Sequence, residues 1–399
     1  MSSIYNFDKQ ISREGTDSVK YDLRKDIFGT QNVIPMWVAD MDFATPDFIL
    51  DAIRQRADKE ILGYSYRGEM LMKAIREWLI KRHNWTTKTD WYLFTPGVVP
   101  ALNLAVLAYT QPGDEVIVQP PVYFPFYSAV KDHGRKLICN PLKIEQGKYF
   151  FDLEDLKNKI NKKTKLLILC SPHNPVGRVW HKEELVELMN ICLENNILVV
   201  SDEIHSDLVF EPNKHIPLAS VSEEISDHCI TFMAPSKTFN TAGLFTSEVI
   251  IKDEKLRQQF SKQIDALHIG WCNVFGNVAL QSAYEMGESW LTQMLNYVSN
   301  NISYTYKYLE ENLPDISFQR PEATYLLWLN FQKTKMDDDE IWKMLINDAG
   351  VGLNKGLQFG KEGKGYMRMN VACPRDTLEN ALNNISNTLK LEQDANNLL

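Results

Sequence analysis

The chain has 399 residues, with 43 Lys and Arg against 52 Asp and Glu, 44% hydrophobic residues and a formal net charge of -9. That length exceeds one ordinary core, so a large domain with a smaller companion is expected. An acidic balance without clustered Lys and Arg argues against a nucleic-acid surface or a polybasic membrane patch, and leaves small-molecule chemistry.

In chain order, the first residues, "MSSIYNFDKQ", lack the basic start and apolar core of a signal peptide. No segment reaches the roughly 18 apolar residues of a membrane span, and a cytoplasmic location is expected. Cys139, Cys170, Cys192, Cys229, Cys272 and Cys373 form no C-x-x-C pair and read as reduced core residues, which suits that compartment. The eight histidines show no ligand spacing, so no metal is expected.

In "TPGVVPALNLAVLAYTQPGDE" (95–115), Gly97 precedes a helix that has Pro100 in its first turn and ends at Pro112-Gly113. A glycine before a helix N-terminus is a seat for an anion. Almost continuously apolar runs then recur: "DEVIVQPP" (114–121), "KLLILCSP" (165–172), "ILVVSDE" (197–203), "CITFMAPS" (229–236) and "SEVIIK" (247–252). Without polar alternation they read as strands covered on both faces, as in a parallel sheet. Residues 152–163 and 181–196 carry helical spacing, through Leu153, Leu156 and Ile160, and through Leu185, Leu188, Met189, Cys192 and Leu193. Strand-helix alternation predicts a doubly wound α/β domain with its ligand beyond the carboxyl ends of the strands.

Residues 284–312 read as a long helix with a break, stopped by Pro314. "ATYLLWLNF" (323–331), "MDDDEIWKMLI" (336–346) and "GYMRMNVACP" (365–374) then give the strand-helix-strand order of a small α+β domain. Asp337, Asp338, Asp339 and Glu340 are read as a solvated first helical turn without function. The expected organisation is an N-terminal segment joining the small domain (1–45), a large domain (46–285) and a C-terminal small domain (286–399).

Asn174, Asp202, His205, Ser236 and Lys237 all emerge where buried strands stop, and in a parallel sheet those ends share one edge. A lysine held there, partly desolvated, is a nucleophilic amine suited to Schiff-base chemistry. Read singly, each residue also has an ordinary place: Lys237 as a solvated lysine, Asp202 as a turn cap, Asn174 in an N-P-x-G turn, Tyr123 as packed core. Together they supply what pyridoxal phosphate needs. Lys237 offers the amine, Asp202 a carboxylate for the pyridinium nitrogen, Asn174 a donor to the ring oxygen and Tyr123 an aromatic face. Glu203 should point the other way along its strand.

"PMWVADMDFATP" (35–46), "GYSY" (63–66), "PPVYFPFY" (120–127), "CSPHNPVGRVW" (170–180), "SDEIHSDL" (201–208) and "SKTFNTAGL" (236–244) stand in this order along the chain. With them the whole chain resembles the fold-type I pyridoxal-phosphate enzymes of the class I/II aminotransferase superfamily. Within that superfamily it looks like the MalY/PatB branch of cystathionine β-lyases and cysteine carbon-sulfur β-lyases. The resemblance implies a large cofactor-binding domain with a mostly parallel central sheet flanked by helices, plus a smaller α+β domain. It makes Lys237 the lysine that bonds the cofactor, Asp202 the pyridinium partner, Asn174 the ring-oxygen donor and Tyr123 the stacking ring. The amides of Val98 and Val99 after Gly97, with the Ser236 hydroxyl, would hold the phosphate. Tyr64 would reach the phosphate of the other subunit in a homodimer, and Arg368 would grip the α-carboxylate of a small amino-acid substrate.

Phe245 stands where many aminotransferases carry a phosphate-binding arginine, and His205 where they commonly carry a tyrosine. Both departures occur in the lyase branch. Ala234 replaces a frequent phosphate-binding serine, which shifts the expected phosphate contacts toward backbone amides and Ser236. The implied reaction is α,β-elimination from L-cystathionine or a related cysteine S-conjugate to pyruvate, ammonia and a thiol. An aminotransferase on the same scaffold is the alternative, and a regulatory protein holding the cofactor as a structural ligand is a third reading.

Overall fold

The computed structural model describes residues 5–397. Seven strands form its main sheet: β1 (Tyr92–Thr95), β2 (Glu115–Val118), β3 (Lys136–Cys139), β4 (Thr164–Cys170), β5 (Leu198–Asp202), β6 (Cys229–Met233) and β7 (Ser247–Ile250). Their order across the sheet is β1-β7-β6-β5-β4-β2-β3. Strands β3, β2, β4, β5 and β6 pair in parallel, whereas β7 is antiparallel to both its neighbours. The expectation of a parallel direction for "SEVIIK" is therefore corrected. Every residue of β7 is buried, Ser247 and Glu248 included, so the strand is covered on both faces like its parallel neighbours, and burial does not encode direction.

Alternation along the strands sends side chains to opposite faces. Val116 and Val118 pack with helix α1 (Val98–Tyr109), while Ile117 joins the core on the other side. Helices α2 (Leu153–Lys159) and α3 (Lys182–Glu194) follow β3 and β4 close to their expected bounds, with Leu156, Leu185, Leu188 and Met189 buried. The predicted long helix is two helices, α4 (Val274–Met286) and α5 (Glu288–Asn312). They part at Gly287, where a Cβ would lie 2.3 Å from both the Ala283 carbonyl oxygen and the Phe239 ring. The break therefore lets the helix pair approach the ring two residues beyond Lys237.

A smaller antiparallel sheet contains β8 (Leu326–Asn330), β9 (Asn354–Lys355) and β10 (Tyr366–Asn370), in the order β8-β10-β9. Ile34 and Pro35 pair in parallel with Val351 and Gly352. The acidic turn before β9 departs from its reading as wholly solvated. Asp337 caps its helix reciprocally with Glu340, but Asp338 is buried and accepts the Gly365 amide at 3.0 Å. All six cysteines are free; Cys139 and Cys272 are only half-buried, against the expectation of core positions, and the other four are buried. Among the described residues no helix is long and apolar enough to cross a membrane.

Candidate active site

Three neighbouring strands deliver polar groups to one place. Cys170, the last residue of β4, pairs with Asp202, the last of β5, and Asp202 pairs with Phe232 near the end of β6. Beyond β6 a single helical turn, Pro235–Thr238, presents Ser236 and Lys237. A cavity of about 190 Å³ opens at these ends, and Gly97, Val98, Val99, Tyr123, Asn174, Asp202, His205, Ser236 and Lys237 all line it. Two of the residues singled out in the sequence stand apart from this lining. Arg368 lies behind Asn174, and Tyr64 is 92% exposed, its ring 5.1 Å from that of Trp271.

Lys237 donates from Nζ to the Ala39 carbonyl at 2.7 Å. Burial, aided by Arg368 and opposed by Asp40 and Asp202, pushes its ammonium down to about 8. Asp202 moves the opposite way for the same first reason: burial lifts its carboxyl to about 7, although the Ile204 amide donates to Oδ1 at 3.1 Å. His205 is held neutral, pushed down to about 3 by burial and by the positive charges of Lys237 and Arg368, and its buried Nδ1 has no hydrogen-bond partner among the described residues.

Arg368 is 2% exposed on β10 and already oriented. Its Nη1 donates to Asn174 Oδ1 at 3.1 Å, and Nη2 donates to the Trp37 carbonyl at 2.9 Å and Asn354 Oδ1 at 2.7 Å. The guanidinium sits 4.8 Å from the Phe359 ring centroid, and its buried Nε has no hydrogen-bond partner among the described residues. With Oδ1 of Asn174 taken by the arginine, its amide nitrogen is the end left to donate into the cavity.

What these groups leave unsatisfied matches the parts of pyridoxal phosphate. A carboxyl with a single backbone partner, lifted toward neutrality, suits a protonated ring nitrogen, which would return it to its ionised form. The first amides of α1, behind Gly97 at the N-cap, have no intrahelical partner and face an anion seat together with the Ser236 hydroxyl. Among the described residues no arginine lines the cavity; Phe245 does, in the left-handed region at φ 46°. The cavity thus fits the cofactor, with a phosphate met by amides and hydroxyls.

Sequence reasoning missed Thr246, Cys170, Ile204 and Ala39 in the lining. It also missed Asp207, which accepts Thr238 Oγ1 at 3.1 Å and so anchors the turn that bears Lys237. "PMWVADMDFATP" marked the Ala39 segment, but a backbone carbonyl leaves no residue signature.

Residues 31–385 match the family described as aminotransferase class I and II. The chain is 42% identical to the cystathionine beta-lyase PatB of Bacillus subtilis (strain 168), over 96% of this chain and all of that protein. It is similar to a solved structure of a PLP-bound putative aminotransferase from Clostridium difficile 630, with a TM-score of 0.95 and 45% identity over 96% of this chain and 99% of that one. It is similar as well to the PLP-bound C-S lyase from Staphylococcus hominis, with a TM-score of 0.91 and 36% identity over 97% and 99% of the two chains.

Proposed function

The chain belongs to the aminotransferase class I and II family, in its MalY/PatB branch of carbon-sulfur lyases, and from that premise we propose that it eliminates a thiol from L-cystathionine or a related cysteine S-conjugate, giving pyruvate and ammonia. The observation that carries this reading is the convergence of Lys237, Asp202 and Asn174 on one cavity, with Arg368 hydrogen-bonded to Asn174 behind its wall. Bound there, pyridoxal phosphate supplies an electrophilic carbon for the substrate amine and an electron sink for the Cα–H bond.

The chain's own groups do the rest. Arg368 takes the α-carboxylate through paired hydrogen bonds and thereby orients the Cα–H bond. The Lys237 amine, at about 8, is partly neutral near physiological pH, so it removes the Cα proton and returns one to the departing sulfur. Asp202 holds negative charge at the ring nitrogen, and the Asn174 amide donates to the ring oxygen. Tyr123 covers a ring face. Val98, Val99 and Ser236 hold the phosphate, and neutral His205 adds no competing positive charge.

We further propose a homodimer in which Tyr64 reaches the phosphate seat of the second copy. Its exposure outside its own cavity, beside exposed Ile61, Leu62, Tyr66 and Trp271, supports that reading. Six free cysteines favour a cytoplasmic location.

Pyruvate release from L-cystathionine, followed by a coupled dehydrogenase assay, is the test. Lys237→Ala should lower it on the order of 10³–10⁴-fold or more. A wild-type protein that forms no pyruvate from any cysteine S-conjugate, and instead turns over only with an added keto acid, would be an aminotransferase.

A further inference from the structure

The segment Met36–Phe43 runs between the two halves of the site, and each carbonyl from Trp37 to Met41 is taken by a side chain. Arg368 donates to Trp37 at 2.9 Å, and Asn370 donates to Val38 at 2.7 Å and Asp40 at 2.6 Å. Ala39 receives both Lys237 Nζ at 2.7 Å and the Tyr325 hydroxyl at 3.0 Å. Asn240, three residues beyond Lys237, donates to Met41 at 3.0 Å.

The side chains of this segment form a closed set of charges. Arg13 grips Asp40 through two nitrogens, at 2.9 and 2.6 Å, and reaches Asp42 at 2.9 Å. Lys20, 1% exposed, donates to Asp42 at 2.8 Å and lies 3.7 Å from Asp40. Two cations and two anions cancel. Burial alone would raise the Asp40 carboxyl, but the hydrogen bonds of Arg13 and the charges of Lys20, Arg13 and Lys237 take it below its ordinary range.

We propose that Asp40 is a positioning residue for the reaction: held by Arg13 and Lys20, it fixes the Ala39 carbonyl where the Lys237 amine docks and balances the charge around that amine. The proposal rests on the reading of Lys237 as the reactive group and adds a device that governs it. Released by the substrate, the amine has a fixed acceptor at Ala39, on the segment whose Trp37 carbonyl holds Arg368, so the proton-carrying and carboxylate-holding groups keep one frame. Facing Lys237 are Asp40, Asp202, Arg368 and His205, with the Tyr325 hydroxyl on the shared carbonyl. Facing Asp40 are Arg13, Lys20, Tyr325 and Lys237. Asp40→Asn leaves the set with one excess positive charge, and Arg13→Met leaves it with one excess negative charge.

The test is the pH dependence of reductive methylation of Lys237 in the full-length chain freed of cofactor, with the modified peptide quantified by mass spectrometry. The midpoint should fall by about one pH unit in Asp40→Asn and rise by a similar amount in Arg13→Met, about tenfold each way in protonation constant. Arg13→Lys should restore the wild-type midpoint. A merely structural segment would loosen in both variants, admit water and move both midpoints upward, which overturns the proposal; so does a midpoint unchanged in both. If Asp40→Asn does not fold, the upward shift of Arg13→Met and its cancellation in Arg13→Lys still decide, because loosening would raise both. The readout needs no turnover, so a failed elimination assay would leave it standing. In the loaded enzyme, the pH profile of kcat/KM should shift in the same two directions.

Discussion

Within Ser201–Asp207, carboxylates of nearly equal burial meet opposite conditions. Glu203 accepts Ser201 Oγ at 2.8 Å and the Leu218 amide at 2.9 Å, and bonds His215 Nε2 at 2.7 Å. Asp207 accepts Trp78 Nε1 at 3.2 Å and Thr238 Oγ1 at 3.1 Å, and bonds His83 Nε2 at 3.1 Å. Asp202 receives one backbone amide and faces the cavity. Burial works to raise both aspartates, but His83, Arg82 and Trp78 take Asp207 below its ordinary value while Asp202 rises to about 7. At 5% and 3% exposed, the two differ in partners and not in depth. A structural carboxylate is answered by its own fold, and a functional one is left for a ligand to answer.

The contrast can be broken by amides. Asp202→Asn should lower kcat for pyruvate formation on the order of 10²–10³-fold and leave urea unfolding nearly unchanged. Asp207→Asn should instead cost about 3 kcal/mol of stability, because it uncouples His83 and Arg82 from a buried charge. If the two phenotypes were exchanged, the contrast would be wrong. Arg368→Lys sharpens it on the substrate side, since a lysine cannot reproduce the fork held by Asn174, Asn354 and Trp37. KM should rise about 10–100-fold, with kcat much less affected.

The smallest effect belongs to a third kind of carboxyl. Glu248 on β7 is 1% exposed, and although the Tyr284 hydroxyl faces it, burial pushes it up to about 8. Its folded value lies above the unfolded one, so the native state holds the proton longer. Its contribution to stability is complete below the ordinary carboxyl range and is lost as pH rises toward about 8. Glu248→Gln should therefore stabilise by about 1–2 kcal/mol at about pH 9 and change little at about pH 4, measured by urea unfolding. Equal effects at both pH values would show that the carboxyl is not held neutral by burial.

Much of the site was readable because chemistry and periodicity coincide in it. Asn174, Asp202 and Lys237 each follow an apolar run, and runs of that texture stop at the edge where a parallel sheet binds its ligand. Glu203 was expected to face away from Asp202, and period-two alternation put it there. The direction of β7 was not readable, because a strand buried on both faces shows no alternation that distinguishes parallel from antiparallel pairing. The burial of Asp338 was equally hidden, since its acceptor role depends on Gly365, which lies 27 residues on. A break was expected somewhere in 284–312, but neither its place at Gly287 nor the Phe239 ring that makes any side chain there collide was readable.

Residue type and spacing along the chain determined the strands, the helix that starts at Gly97, and the inventory of amine, carboxylate, amide and guanidinium. These are local properties of hydrophobic period and side-chain chemistry. Only the tertiary structure decided which of those groups are answered and which wait. It set the Ala39 carbonyl against Lys237, three partners around Arg368, and Asp207 beneath the lysine's turn, because hydrogen bonds between residues tens to hundreds of positions apart depend on distance in space.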